Sequence, residues 1–192
     1  MNRNKVGLCN WPDLAMLLLL ICTVRYIVSK PREEEVAMKT AEQWFSEYAV
    51  SHQHPTNKLI HWFAVPVIYI TVLGLLWQIP MPFAGFAEQG INWALLLVLP
   101  ALVFYFLLSF SIGLGMTIFT AAAVTLLRAL EQQSVLQIWQ WSLLVFVVMW
   151  VFQFVGHKIE GKKPSFFQDL AFLLIGPAWL LGFILKRLHI RY

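Results

Sequence analysis

The sequence predicts an all-α, polytopic membrane helical bundle of about five membrane segments, preceded by an amphipathic surface helix. Three observations carry this prediction. First, 59% of the 192 residues are hydrophobic and only 12% are charged, against about a quarter charged in a soluble domain. Second, apolar runs extend over about Leu59 to Ile79, Trp93 to Phe110, Leu114 to Leu130, Ile138 to Val155 and Phe166 to Leu185. These approach the roughly 20 residues that cross a hydrocarbon core. Third, Ala41, Trp44, Phe45 and Tyr48 recur at helical spacing just before them, with Glu42, Gln43, Ser46 and Glu47 elsewhere on the wheel.

Taken in order, the first element is ambiguous. Leu14 to Val24 is apolar but short for a span, and Arg25 interrupts it. Arg3 and Lys5 imitate a signal peptide, yet no small-x-small cleavage site follows, so residues 1–37 read either as an uncleaved anchor or as untranslated. The second reading comes from Arg32-Glu33-Glu34-Glu35, which a purine run resembling a bacterial ribosome-binding site can encode, ahead of Met38. The expected division is a 1–37 extension and a single 38–192 membrane domain. Cys9 and Cys22 both precede the bundle and cannot staple it.

The surface helix follows, and His52 lies four residues beyond Tyr48, so it extends the apolar stripe. Pro55 suits the first turn of the next helix with His54 near its N-cap, and Asn57 and His61 fall on one face of it. The long runs are separated at Gln78-Ile79-Pro80, Ser109 to Gly115, Glu131 to Ser134 and Gly156 to Pro164. Their continuity excludes the alternating short segments of a membrane barrel. Tryptophans such as Trp62, Trp77, Trp93, Trp139 and Trp179 sit near run ends, as interfacial rings do.

The basic residues lie in short clusters beside apolar runs and read as headgroup anchors, not as a nucleic-acid surface. If the first four runs span, Lys58 and the Lys158 to Lys163 loop share a side. The basic C-terminus then falls opposite, unless the last run is re-entrant. His189 in that tail reads as a headgroup contact.

The same even count of crossings puts His61 and His157 on one side of the membrane. Gln153, His157 and Glu160 fall on one face at helical steps. Two histidines and a carboxylate are a characteristic set for iron(II) oxygenases, and His52, His61, His157 and Glu160 could supply it. The same histidines could instead satisfy interfacial hydrogen bonds, Asn57 could cap a helix, Gln153 could bond across helices, His54 could cap, and Glu160 could pair with Lys162 or Lys163. There is no zincin His-Glu-x-x-His motif and no phosphate-binding Gly-rich loop, and the histidine boxes of membrane di-iron desaturases are missing.

The spacing Tyr48-x3-His52-x2-Pro55-x-Asn57-x2-Ile60-His61, then Val65-Pro66, and later Trp150-x-Phe152-Gln153-Phe154-Val155-Gly156-His157 with Pro164, resembles the yeast MPO family, over roughly Thr40 to Leu185. The resemblance implies an Fe2+-dependent dioxygenase of fatty-acid α-oxidation, a non-haem iron oxidoreductase of lipid metabolism. Its substrates would be O2 and a 2-hydroxy long-chain fatty acid drawn from the lipid bilayer, and its product the acid one carbon shorter. It assigns His52, His61 and His157 as metal ligands and Tyr48, Asn57 and Gln153 as neighbouring catalytic residues, to which helical spacing from His157 adds Glu160 as a catalytic candidate. Two positions depart from the family pattern: His54 replaces an Asn, and Glu160 follows His157 one residue earlier than the family's carboxylate. The implied location is a bacterial inner membrane, or the endoplasmic reticulum in a eukaryote. The alternative class is a non-enzymatic lipid-binding scaffold or small transporter with structural histidines.

Overall fold

A computed structural model describes residues 39–133, 136–164 and 171–192. The expected 1–37 extension, Cys9, Cys22, the Leu14 to Val24 run and the start of the fifth apolar run at Phe166 lie outside the described residues. Among those described, seven helices and no strand occur: α1 Ala41–Ala49, α2 Pro55–Trp77, α3 Ala84–Glu88, α4 Trp93–Leu108, α5 Phe110–Gln133, α6 Ile138–Glu160 and α7 Phe172–Arg187. The all-α expectation is borne out. Three helices, α2, the Phe110–Gln132 stretch of α5, and α6, are long and apolar enough to cross a membrane, and α4 is a shorter apolar helix.

Local chemistry sets the helix ends. Thr40 opens α1 with a capping box: its hydroxyl accepts from the Gln43 N–H and the Gln43 side chain accepts from the Thr40 N–H, which satisfies two otherwise orphaned donors. His54 is the N-cap of α2, its Nδ1 accepting from the Thr56 N–H at 3.2 Å, and Pro55 occupies the first turn. Gly161 closes α6 at φ 72°, a left-handed conformation that glycine adopts without strain.

Three boundaries are sharper than the sequence predicts, since α5 continues through Gln133 and α6 through Glu160, past the breaks expected from Glu131 and from Gly156. The break expected over Ser109 to Gly115 shrinks to Ser109, which is extended at φ −170° and ψ 145° between α4 and α5. Gly113 and Gly115 remain helical because their bare faces lie against the Phe106 ring and Leu181, where a methyl would collide. They act in packing, not as breakers.

Helices α2 and α6 run antiparallel along their lengths: Asn57 meets Gly156, Gly74 meets Ser142, and Gln78 Nε2 donates to Gln137 Oε1 at 3.1 Å. Small residues at the crossing let the backbones approach, the usual source of helix association in lipid. Outward faces carry exposed Leu59, Phe63, Val103, Leu107, Ile118 and Val151. Apolar surface of that extent suits a hydrocarbon surround and not water. The chain is a membrane protein.

Helix α7 takes a different course. Phe172 packs edge-on against Trp44 at 5.3 Å, and Tyr105 Oη donates to the Leu174 carbonyl at 2.9 Å. Gly176 lies beside Tyr48 and Val65, and Leu181 beside Gly115. Beyond the helix, Ser111 Oγ donates to the Arg191 carbonyl at 2.8 Å and Tyr192 packs on Phe45. All these partners lie in the half of the bundle where α2 begins and α6 ends. Both ends of α7 therefore lie in that half. Its run of buried residues from Ile175 to Leu180 follows, since other elements surround it.

Candidate functional site

The amphipathic stripe of α1 lands on α7. Phe45 and Tyr48 are buried there, and the Tyr48 ring meets Trp179 at 5.2 Å. That docking fixes the connector that follows, in which the His52 ring stacks on Tyr48 at 4.0 Å and 15°. His61 comes from the second turn of α2, and Gln153 and His157 from the last turns of α6. The ring centroids of His52, His61 and His157 lie 4.3, 4.9 and 5.0 Å apart. All three rings are buried, and one nitrogen from each lies within 4.8 Å of the others.

The hydrogen bonds define which nitrogens face inward. His52 Nδ1 lies 2.7 Å from the Tyr48 carbonyl and His61 Nδ1 lies 2.9 Å from the Asn57 carbonyl. A carbonyl only accepts, so both Nδ1 atoms carry the proton and both Nε2 atoms present a lone pair. Those two Nε2 atoms are 2.9 Å apart. Two lone pairs facing each other at that distance repel unless a cation lies between them. Two nitrogens binding one ion at a right angle, each at about 2.1 Å, would stand about 3.0 Å apart. The His52 and His61 pair thus fits a transition-metal ion, held by neutral imidazoles whose tautomer backbone carbonyls fix from behind, and His157 brings a third nitrogen within 4.8 Å. Burial pushes the His52 imidazole down to about 4 from its ordinary 6.5, against the opposing hydrogen bond to Tyr48, so it is neutral at pH 7.

The remaining predicted residues surround this cluster in different ways. Gln153 lies beside His61 with its amide in hydrogen-bonding reach of the imidazole. Asn57 is fully buried and donates through Nδ2 to the Ser51 carbonyl at 3.1 Å and to Glu160 Oε2 at 3.2 Å. Glu160 is not brought into the cluster: its oxygens accept from the Gln53 N–H at 2.8 Å, the His54 N–H at 2.7 Å and Asn57. No bond to Lys162 or Lys163 competes, since Lys162 Nζ donates instead to the Val50 carbonyl at 2.8 Å. His54 caps its helix, and His189 lies in the tail beyond α7.

Sequence reasoning missed two participants. Gly156 leaves room for the Asn57 amide, which a methyl would strike; only its place directly before His157 hinted at this. Trp179, read as an interfacial ring, stands 5.6 Å from the His52 ring.

A cavity of about 550 Å³ opens from the cluster. It follows α2 from His61 to Leu76, and Leu97 and Ala101 of α4 and Phe146 and Trp150 of α6 also line it. At about 1.5 Å per residue that course is about 22 Å long. The polar lining sits at the histidine end, apart from Tyr69 in the middle, whose hydroxyl is bonded to Thr120 at 2.7 Å. The arrangement is a long apolar groove with a buried, neutral, metal-competent nitrogen cluster at one end.

No solved structure matches the chain. A protein described as 2-hydroxy-palmitic acid dioxygenase MPO1, from Saccharomyces cerevisiae, is 30% identical over 132 residues, covering 67% of this chain and 69% of its own. Residues 38–188 match the model of a family described as 2-hydroxy-palmitic acid dioxygenase Mpo1-like. On the histidine spacing, the helical frame that joins it and these two matches, the chain belongs to the Mpo1-like family.

Proposed function

We propose that the chain is an Fe2+-dependent dioxygenase of fatty-acid α-oxidation that converts a 2-hydroxy long-chain fatty acid to the acid one carbon shorter, with residues 38–192 as the functional domain. One observation carries the reading: paired imidazole lone pairs at one end of an acyl-sized groove. An extended hydrocarbon advances about 1.25 Å per carbon, from bonds of about 1.52 Å at tetrahedral angles. A groove of about 22 Å therefore takes about 17 carbons, the scale of the palmitic chain in the yeast relative's name.

His52, His61 and His157 would hold the ion. Bound there, Fe2+ would supply the place where O2 and the substrate's hydroxyl and carboxylate oxygens come together. The protein's own groups do the rest. The carbonyls of Tyr48 and Asn57 keep Nδ1 protonated and Nε2 free, while the stacked Tyr48 ring prevents His52 from turning. Gln153 offers an amide beside His61 to a substrate oxygen. The apolar walls seat the chain so that C1 and C2 face the cluster, and they keep water out.

The reaction R-CHOH-COOH + O2 → R-COOH + CO2 + H2O balances in atoms, and the substrate supplies all four electrons that O2 accepts. No co-reductant is needed. Purified protein in detergent, given Fe2+, air and 2-hydroxypalmitate, should yield pentadecanoate and CO2 without 2-oxoglutarate or NADPH. An absolute need for either would refute this balance, and no shortening under any supplement would leave a lipid-binding or transport protein with structural histidines.

A further inference from the structure

We propose that Glu160 is a positioning residue of this centre, a clamp that ties the His52 connector to the end of α6, and not a ligand. The inference rests on the reading that His52, His61 and His157 hold a metal. Their geometry poses a specific difficulty. His157 belongs to α6 and His61 to α2, but His52 lies in the irregular stretch between α1 and α2. Backbone bonds tie it to the last turn of α1, the His52 N–H donating to the Ala49 carbonyl at 3.0 Å, but none of these ties reaches α6.

The Glu160 carboxylate supplies that constraint. It stands three residues beyond His157, on the same face of α6. Oε1 accepts from the Gln53 N–H at 2.8 Å, and Oε2 accepts from the His54 N–H at 2.7 Å and from Asn57 Nδ2 at 3.2 Å. The two N–H groups precede a helix, where backbone donors otherwise lack partners and where negative charge is favoured. The same Asn57 Nδ2 reaches the Ser51 carbonyl, next to His52. One carboxylate thus joins the connector on both sides of His52 to the helix that bears His157. Lys162 adds a second tie across the same seam through the Val50 carbonyl. Both carboxylate oxygens are already engaged with donors, which leaves the three histidines as the group that faces one another.

The test uses Co2+ alone, titrated into the full chain in detergent, with affinity and visible absorption as readouts. Glu160→Gln turns an NH2 group toward an N–H and should weaken Co2+ binding about 10- to 100-fold, the usual cost of losing a group that orients ligands. The band shape at saturation should not change. His52→Ala shows what a lost ligand looks like, and Glu47→Gln, an exposed carboxylate paired with Lys39, should match the wild type. A second pair removes only the donor. His54 has φ −67° and ψ 131°, which proline adopts, so His54→Pro deletes the N–H, while His54→Ala deletes the side chain alone. His54→Pro should bind more weakly than His54→Ala, and should cost less in the Glu160→Gln background than in the wild type. Unchanged affinity in Glu160→Gln, an altered spectrum, or equal His54→Pro and His54→Ala affinities would each overturn the clamp. If Glu160→Gln fails to fold, the His54 pair decides. A wild type that binds no Co2+ removes the metal reading itself, an outcome distinct from a wild type that binds and a Glu160→Gln that binds equally.

Discussion

An imidazole that has given its only proton to a carbonyl can meet a neighbour only with a lone pair, and in this chain two such imidazoles meet at 2.9 Å. Replacing His52, His61 or His157 by Ala should therefore each remove most bound metal, since the remaining neutral nitrogens compete poorly with solvent. His189→Ala should retain it, and metal analysis of the purified variants decides; full content in all three cluster variants would end the metal reading. Acid should act on the metal-free protein through the same burial. The unfolded chain takes up a proton at His52 near 6.5 while the folded chain resists until about 4. Stability is thus present above 6.5 and is lost as the pH falls toward 4. The melting temperature in detergent should decline across that window, and a level profile down to pH 4 would contradict it. Helical spacing from Tyr48, Asn57 and Gln153 set the face of each histidine, and the even count of crossings put His61 and His157 at one end, where the three rings meet. The sequence could not assign Glu160, because the partners of that carboxylate are backbone N–H groups, which every residue carries and no spacing reveals.

At the scale of helices, the cluster depends on how closely α2 and α6 approach. Two glycines permit this approach, and they separate packing from site geometry. A methyl on Gly74 would strike the Ser142 side chain near the far end of the pair, whereas one on Gly156 would strike the Asn57 amide beside the cluster. Asn57 cannot retreat without losing its bonds to Ser51 and Glu160. Both Gly→Ala variants should cost stability, by about 1–3 kcal/mol as overpacking does. Only Gly156→Ala should also weaken metal binding, because only there does the displaced group help to hold the His52 connector. Equal metal affinity in the two variants, measured by Co2+ titration, would show that Gly156 matters for packing alone. The long apolar helices and the start of α2 were legible, since apolar length and Pro55 act locally, whereas the short α3 was not, having no apolar run of its own. The Ser109 break was placed too broadly because Gly113 and Gly115 resemble breakers until their neighbours Phe106 and Leu181 are known.

For the whole molecule, the position of α7 bears on what the sequence left open about charge. Counted as a crossing, the last apolar run would carry Lys186, Arg187 and Arg191 away from Lys58, Lys158, Lys162 and Lys163. Its contacts instead keep it at the histidine end, with Arg191 bonded to Ser111 and Tyr192 packed on Phe45. That placement was not readable from hydropathy, because a helix packed among others at one end of a bundle is as apolar as one that crosses. Among the described residues, every Lys and Arg except Arg128 then lies in the half of the bundle that holds the cluster. An excess of Lys and Arg marks the cytoplasmic side, so the end of the groove that holds the histidine cluster should face the cytoplasm. Single cysteines at Lys162 and Tyr192, in a chain lacking Cys9 and Cys22, should resist a membrane-impermeant thiol reagent added to intact cells and react once the membrane is opened. A cysteine at Gln89, in the turn between α3 and α4 at the other end, should react from outside. Labelling of Tyr192→Cys from outside with Lys162→Cys protected would mean that α7 crosses after all, and labelling of both would invert the orientation while leaving the shared end intact.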